Sequence, residues 1–160
     1  MPVEPRFVVD TMLGNLARWL RILGYDTLYS NRYSDYRILK ISEEDHRVLV
    51  TRDRGLFIRA KKNNLEAVLI ETESVEEMLR ILRKRYNIRL EVDPDDTRCP
   101  ACNYPLKRTT SLTEVAGKIS SEIASKYREF WVCYRCGKIY WRGNHWKTIE
   151  KTLERARRVE

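Results

Sequence analysis

Three aspartates and four cysteines are the residues whose types and spacing can do chemistry here. Asp10 closes the apolar run at the start of "FVVDTMLGNLARWLR" (7–21), Asp53 directly follows "VLVTR", and Asp35 opens a helix-like stretch behind Ser34. Carboxylates brought to one place repel one another strongly unless a cation neutralises them. A hard divalent cation with oxygen ligands, Mg²⁺ or Mn²⁺, does so. In a basic protein such a metal can polarise a phosphodiester, activate water and stabilise the leaving oxygen. Arg18 and Arg21, one helical turn apart, and Arg52 and Arg54, on either side of Asp53, can then engage a phosphate backbone or balance the acids. Each aspartate also has a plainer role: Asp10 as a helix cap, Asp35 as a charge favoured by the helix dipole, Asp53 as a turn residue in "TRDRG".

The cysteines form two pairs, "CPAC" (Cys99, Cys102) and "CYRC" (Cys133, Cys136), with 30 residues between them. Two residues between thiolates let a tight turn aim both sulfurs at one metal, and two such turns complete a tetrahedral four-sulfur zinc site. Pro100 and Gly137 supply turn chemistry at the two knuckles. A closed four-thiolate site has no position open to substrate, so this zinc should hold the fold and do no chemistry. Disulfides are the competing use of these cysteines and are disfavoured in a reducing cytosol. The long spacer must hold an inserted element, and residues 113–128 are expected to form a short helix there.

These side chains need a scaffold. Ahead of the cysteines, strand-like runs at 6–10, 26–30, 48–51 and 67–71 alternate with helix-like segments. The first helix puts Leu13, Leu16, Ala17, Leu20 and Leu23 on one face and stops at Gly24. The second runs from a Ser34 cap to about His46, a shorter one follows Arg54, and "SVEEMLRILRKRY" (74–86) starts with a serine cap and early glutamates. Such alternation predicts a parallel sheet with helices on both faces, whose sites lie beyond the carboxyl ends of the strands. Asp10, Asp35 and Asp53 all fall at that edge.

At 160 residues the chain can hold one ordinary domain with a satellite. Three parts are expected: a sheet domain over 1–93, a zinc ribbon over 94–145 and a terminal helix over 146–160. No apolar stretch approaches a membrane span and no signal-peptide core is seen, so a cytoplasmic protein without a membrane partner is expected. The net charge is +8; residues 1–93 contribute +2 (17 basic, 15 acidic) and residues 94–160 +6 (14 basic, 8 acidic). That imbalance favours a polyanionic partner, nucleic acid above all.

The basic half also interleaves rings with cations. Phe130, Trp131, Tyr134, Tyr140, Trp141 and Trp146 alternate with Arg135, Lys138 and Arg142, a pattern suited to stacking on bases while neutralising phosphates, although several rings should form the ribbon's own small core. Residues 146–159 read as an amphipathic helix. Its apolar face is Trp146, Ile149, Leu153 and Ala156, and its basic stripe of Lys147, Lys151, Arg155 and Arg158 is free for RNA. His145 and His46 are expected to be packing or surface residues.

Taken together, "FVVDTMLGNLARWLRILGYDT", "VLVTRDRGLF", "CPAC" and "FWVCYRCGKIYWRGNHW" resemble the mut-seven C-terminal RNase family over about Arg6 to Trp146. The resemblance implies an α/β fold: a PIN-like parallel sheet flanked by helices, followed by a C-terminal zinc ribbon and a terminal helix. It further implies a metal-dependent ribonuclease, expected to be endonucleolytic, with Asp10, Asp35 and Asp53 at the acidic metal positions. PIN nucleases generally add a fourth acid just after the third. Here Arg54 and Gly55 occupy that stretch, leaving Glu71 or Glu73 as substitutes. The alternative is a non-catalytic protein that binds RNA, the ribosome or another ribonucleoprotein through the same fold with an incomplete metal site.

Overall fold

The computed structural model describes residues 3–158. Its sheet domain carries four parallel strands, β1 (Phe7–Val9), β2 (Thr27–Leu28), β3 (Val48–Thr51) and β4 (Ala67–Leu69), in the spatial order β2-β1-β3-β4. Helices α1 (Gly14–Ile22), α2 (Asp35–Asp45), α3 (Arg54–Lys62) and α4 (Val75–Tyr86) alternate with them. Successive side chains of a strand point to opposite faces, which sorts the core into two layers. Phe7, Val9, Val48 and Val50 pack with Leu16, Leu20, Leu79 and Leu82 of α1 and α4. Val8 and Leu49 pack with Ile38, Ile41, Leu56 and Ala60 of α2 and α3. Burial on both faces is why these strands are unbroken apolar runs.

The cysteine-bearing segment forms a second, antiparallel sheet, β5 (Lys107–Thr109), β6 (Phe130–Val132) and β7 (Ile139–Tyr140). The expected helix over 113–128 is instead two short ones, α5 (Leu112–Val115) and α6 (Ser121–Lys126). Gly117 separates them at φ +82, a conformation that ends a helix, and the Ser120 side chain caps α6 by accepting from Ile123 N–H. The last helix, α7 (Asn144–Arg157), starts two residues earlier than position 146. The end of the expected stretch, residue 159, and residue 160 lie outside the described residues. Leu153 and Ala156 of α7 are fully buried in the same core as α1 and α4, so the terminal helix returns to the sheet domain.

The second strand is shorter than the expected 26–30. It lies at the sheet edge, and side chains take up its outward backbone groups: Thr27 N–H donates to Asn103 Oδ1 and Thr27 C=O accepts from Arg21 Nε. An edge covered in this way cannot pair with another strand. Ser34 caps α2 by accepting from Arg37 N–H, as its position predicts.

Gly24, the stop of the first helix, sits at φ +96, and a Cβ there would be driven into the backbone carbonyl oxygen of Asp96. Gly24→Ala should therefore cost on the order of 1–3 kcal/mol, from the positive φ and the blocked approach of the linker. A denaturant melt reads this directly, and an unchanged midpoint would contradict the close approach.

Candidate functional site

The four cysteines are built by two matching turns. Asn103 N–H donates to the Cys99 carbonyl and Gly137 N–H to the Cys133 carbonyl, both at 2.8 Å. The residue after each second cysteine is left-handed, Asn103 at φ 76 and Gly137 at φ 83. Asn103, and not Pro100, is thus the counterpart of Gly137. Asparagine tolerates this conformation better than other non-glycine residues. The four sulfurs all lie within 4.8 Å of one another. Cys99 and Cys136 are 3.7 Å apart and Cys102 and Cys133 3.4 Å, close to the roughly 3.8 Å that a tetrahedron with metal–sulfur bonds of about 2.3 Å requires. The residues present fit a tetrahedral metal. All four cysteines are free of disulfides. Burial works to raise the Cys133 thiol, but the backbone N–H groups of Cys136 and Arg135 point at its sulfur and draw its pKa down to about 7. The Tyr140 hydroxyl lies 3.2 Å from Cys99 Sγ, so it can donate to a ligating sulfur.

The two knuckles differ in what else they do. Arg21 Nη1 donates to Pro100 C=O at 2.9 Å, and Asn103 Nδ2 donates to Asp26 Oδ1 at 2.7 Å. Asp26 Oδ1 also accepts from Arg47 Nη1 at 2.9 Å. Burial opposes ionisation of Asp26, and the donors Arg47 and Asn103 more than offset it, holding its carboxyl below the usual carboxylate range. The first knuckle is therefore bolted to the edge strand. Arg21, expected from its spacing to face RNA, is instead buried and committed to Thr27 and Pro100 carbonyls. Its guanidinium is bonded within this junction, and the residue borders the cleft that Arg18 lines. Burial pulls its pKa below the ordinary arginine value.

At the carboxyl edge of the parallel sheet, the Asp10 carboxylate is linked to the Asp53 backbone by a residue with no role at the sequence level. Asp10 N–H donates to Val50 C=O, which extends the β1–β3 ladder by one bond. Its buried carboxylate accepts from Thr11 N–H at 2.7 Å and from the Thr51 hydroxyl at 2.7 Å. Thr51 Oγ1 in turn accepts from Asp53 N–H at 2.9 Å. Asp53 caps α3, its side chain accepting from Leu56 N–H. Asp10 likewise caps the single 3₁₀ turn Thr11–Leu13, so both capping roles and the shared edge are present at once. Asp35 stands apart from this chain, exposed in the first turn of α2, 3.5 Å from Arg59 of α3. Glu71 pairs with Arg54 at 2.8 Å and Glu73 approaches Arg52 at 3.9 Å. Among the described residues, the cysteines are the group whose ligand atoms converge as a metal requires; the carboxylates do not converge to that degree.

The remaining cations are distributed unevenly. Arg18 is exposed and lines a cleft of about 390 Å³ with Gly14, Asn15, Arg21, Tyr29, Pro100 and Ala101, beside the turn that follows Asp10. Arg135, Lys138, Arg142, Lys147 and Lys151 are exposed. Arg155 is also exposed but is tied to Glu76 of α4 at 3.4 Å, and Arg158 to Glu154 at 3.4 Å. The stripe on α7 is thus free at Lys147 and Lys151 and engaged further along. His145 lies within α7, its ring edge-on to Trp141, and His46 caps α2 in a left-handed conformation.

A four-stranded parallel α/β domain with carboxylates at the ends of its two central strands, bolted to a four-cysteine antiparallel module, is the class that this geometry defines. The family model of the Mut7-C RNAse domain matches residues 5–153. The chain belongs to that family. Neither the comparison with curated proteins nor the one with solved structures finds a match. Membership supports a ribonuclease-like function and implies RNA as the substrate class. Among the described residues, no helix is long and apolar enough to cross a membrane.

Proposed function

We propose that the protein is an endonucleolytic ribonuclease that hydrolyses RNA phosphodiesters with Mg²⁺ or Mn²⁺ at Asp10, Asp53 and Asp35, and that structural zinc at the four cysteines holds a ribbon that helps grip the RNA. The Thr51-mediated pairing of Asp10 with the Asp53 backbone is the observation that carries this reading. It ties the Asp10 carboxylate to the Asp53 backbone near the switch point between β1 and β3, where open parallel sheets place their ligands. The divalent ion would polarise the phosphate and lower the pKa of an attacking water. Thr51 and Thr11 N–H hold the Asp10 carboxylate in one orientation. Arg18 is open to solvent in the adjoining cleft and can take a neighbouring phosphate.

The ion pairs at Asp35, Glu71 and Glu73 favour a second reading. Arginines occupy the places where a third and a fourth ligand were expected, which suits a protein that binds RNA without cutting it. Incubating pooled cellular RNA with the purified protein, with and without Mn²⁺, separates the two. Internal cleavage that needs the added ion is expected. Salt-sensitive RNA binding with no cleavage at any Mn²⁺ or Mg²⁺ concentration would overturn the nuclease and leave the binding protein.

A further inference from the structure

We propose that a cavity between the sheet domain, the cysteine module and α7 receives one unstacked base of single-stranded RNA. The cavity is about 150 Å³. Its walls include the rings of Trp131, Tyr140, Trp141, His145 and Trp146. Three of the chain's four tryptophans are therefore gathered at one opening; the fourth, Trp19, belongs to the sheet-domain core. Trp131 is buried in the ribbon's own core and Trp141 packs against the neighbouring cluster of Val115, Phe130 and Val132, so both rings are held from behind, whereas Trp146 belongs to neither ribbon cluster. Flat rings around an open apolar space suit a flat π-system, and stacking on bases tolerates any sequence because every base has a π-face. The Tyr140 hydroxyl is engaged with Cys99 Sγ, so the residue is anchored from behind by the cysteine cluster.

Charge at the rim selects a polyanion over an apolar peptide. The Arg142 guanidinium lies over the rings of both Trp131 and Trp146, at 5.5 and 5.4 Å from their centroids. Among the described residues, Arg98, Arg142 and Lys147 have no carboxylate within ion-pair distance, whereas Arg108, Arg155 and Arg158 all do. Arg98 is committed to the Asn103 carbonyl, so Arg142 and Lys147 are the cations here that are left for phosphates, in addition to the exposed Arg135, Lys138 and Lys151 elsewhere on the basic half. The cavity shares one wall with the cleft that Arg18 lines. Pro100 walls both it and the Arg18 cleft, and Arg21 pins that wall from inside by its bond to the Pro100 carbonyl. A strand leaving the edge beside Gly14 reaches the cavity beside Ile22 after about 13 Å, the length of α1. The buried Arg21 thus positions the partition that the RNA must pass.

This proposal rests on RNA as the ligand and not on the metal site, so it is tested by binding without added Mg²⁺ or Mn²⁺. The probes are a short oligoadenylate carrying 2-aminopurine and an abasic strand of the same length, titrated into the full-length protein. Wild type should bind the oligoadenylate more tightly than the abasic strand and quench the purine fluorescence. Trp146→Ala should weaken oligoadenylate binding roughly 5- to 150-fold, the range for losing one base–aromatic stack, and leave abasic binding and the melting temperature in place. Trp146→Phe should recover most of the loss. Equal affinity of wild type for the two strands overturns the proposal without need of a variant, as does a Trp146→Ala loss that is the same for both. A protein that discriminates the strands but never cuts RNA sustains the base cavity and removes the nuclease.

Discussion

Asp10→Asn should slow metal-dependent RNA cleavage by about 100-fold or more, the scale set by displacing a group that orients reacting atoms. The geometry isolates charge from shape at this position. Asparagine Oδ1 can still accept from Thr11 N–H, so the cap of the 3₁₀ turn survives. On the other side, an Asn Nδ2 facing Thr51 would donate to a hydroxyl oxygen that already accepts from Asp53 N–H. The hydroxyl proton then loses its acceptor, a change of about 1 kcal/mol. Stability should move little while the anionic ligand disappears. RNA affinity measured without the divalent ion should stay level or rise, since one charge that repels phosphate is gone. Thr51→Val is the companion: it keeps both carboxylates, removes the hydroxyl that links the Asp10 carboxylate to the Asp53 backbone N–H, and should lower cleavage by a smaller factor. An Asp10→Asn protein that cuts as fast as wild type would reduce Asp10 to a cap.

The positions of Asp10 and Asp53 were legible because a carboxylate directly after, or one residue beyond, an unbroken apolar strand has few places to go except the sheet edge. Thr51 was not legible: threonine at the end of a strand is ordinary by propensity, and only the pairing of Val9 with Val50 brings its hydroxyl beside Asp10. The burial of Arg21 was not legible for a related reason. Residues three apart share a helix face, so sequence alone treats Arg18 and Arg21 alike, and docking of the first knuckle buries one and leaves the other open. A signal for Asn103 existed. It follows the second cysteine of its pair as Gly137 does, and the two fill the same left-handed position. The break between α5 and α6 was written in Gly117 and Ser120, a helix stop and a helix start inside a stretch that hydrophobic periodicity alone reads as continuous.

Removing the metal at the cysteines should unfold the ribbon and also weaken the sheet domain, a larger effect than two independent cores would give. Structural zinc at four thiolates contributes on the order of 10 kcal/mol or more to the folding of a small module, beyond what the two clusters around Trp131 and Phe130 can replace. Cys133→Ser removes one of the four converging sulfurs and should abolish zinc retention, expected by elemental analysis at one per chain in wild type. Once the first knuckle loosens, Arg21 loses its Pro100 carbonyl, Thr27 N–H loses Asn103 Oδ1, and Asp26 loses one of its two side-chain donors. Each buried group left without a partner costs about 1–3 kcal/mol, so the sheet domain should melt at a visibly lower temperature. Hydrogen exchange should show early loss of protection at Thr27 and along α1, while β3 and α4 stay protected longest. Asn103→Gly dissects the coupling. It keeps the left-handed turn and the zinc but removes the side-chain bonds to Thr27 and Asp26, so the zinc count should hold while the sheet-domain transition still falls. A Cys133→Ser protein whose sheet domain melts like wild type would show that the junction contributes nothing to stability, and freshly isolated protein with two disulfides and no zinc would overturn the metal site itself.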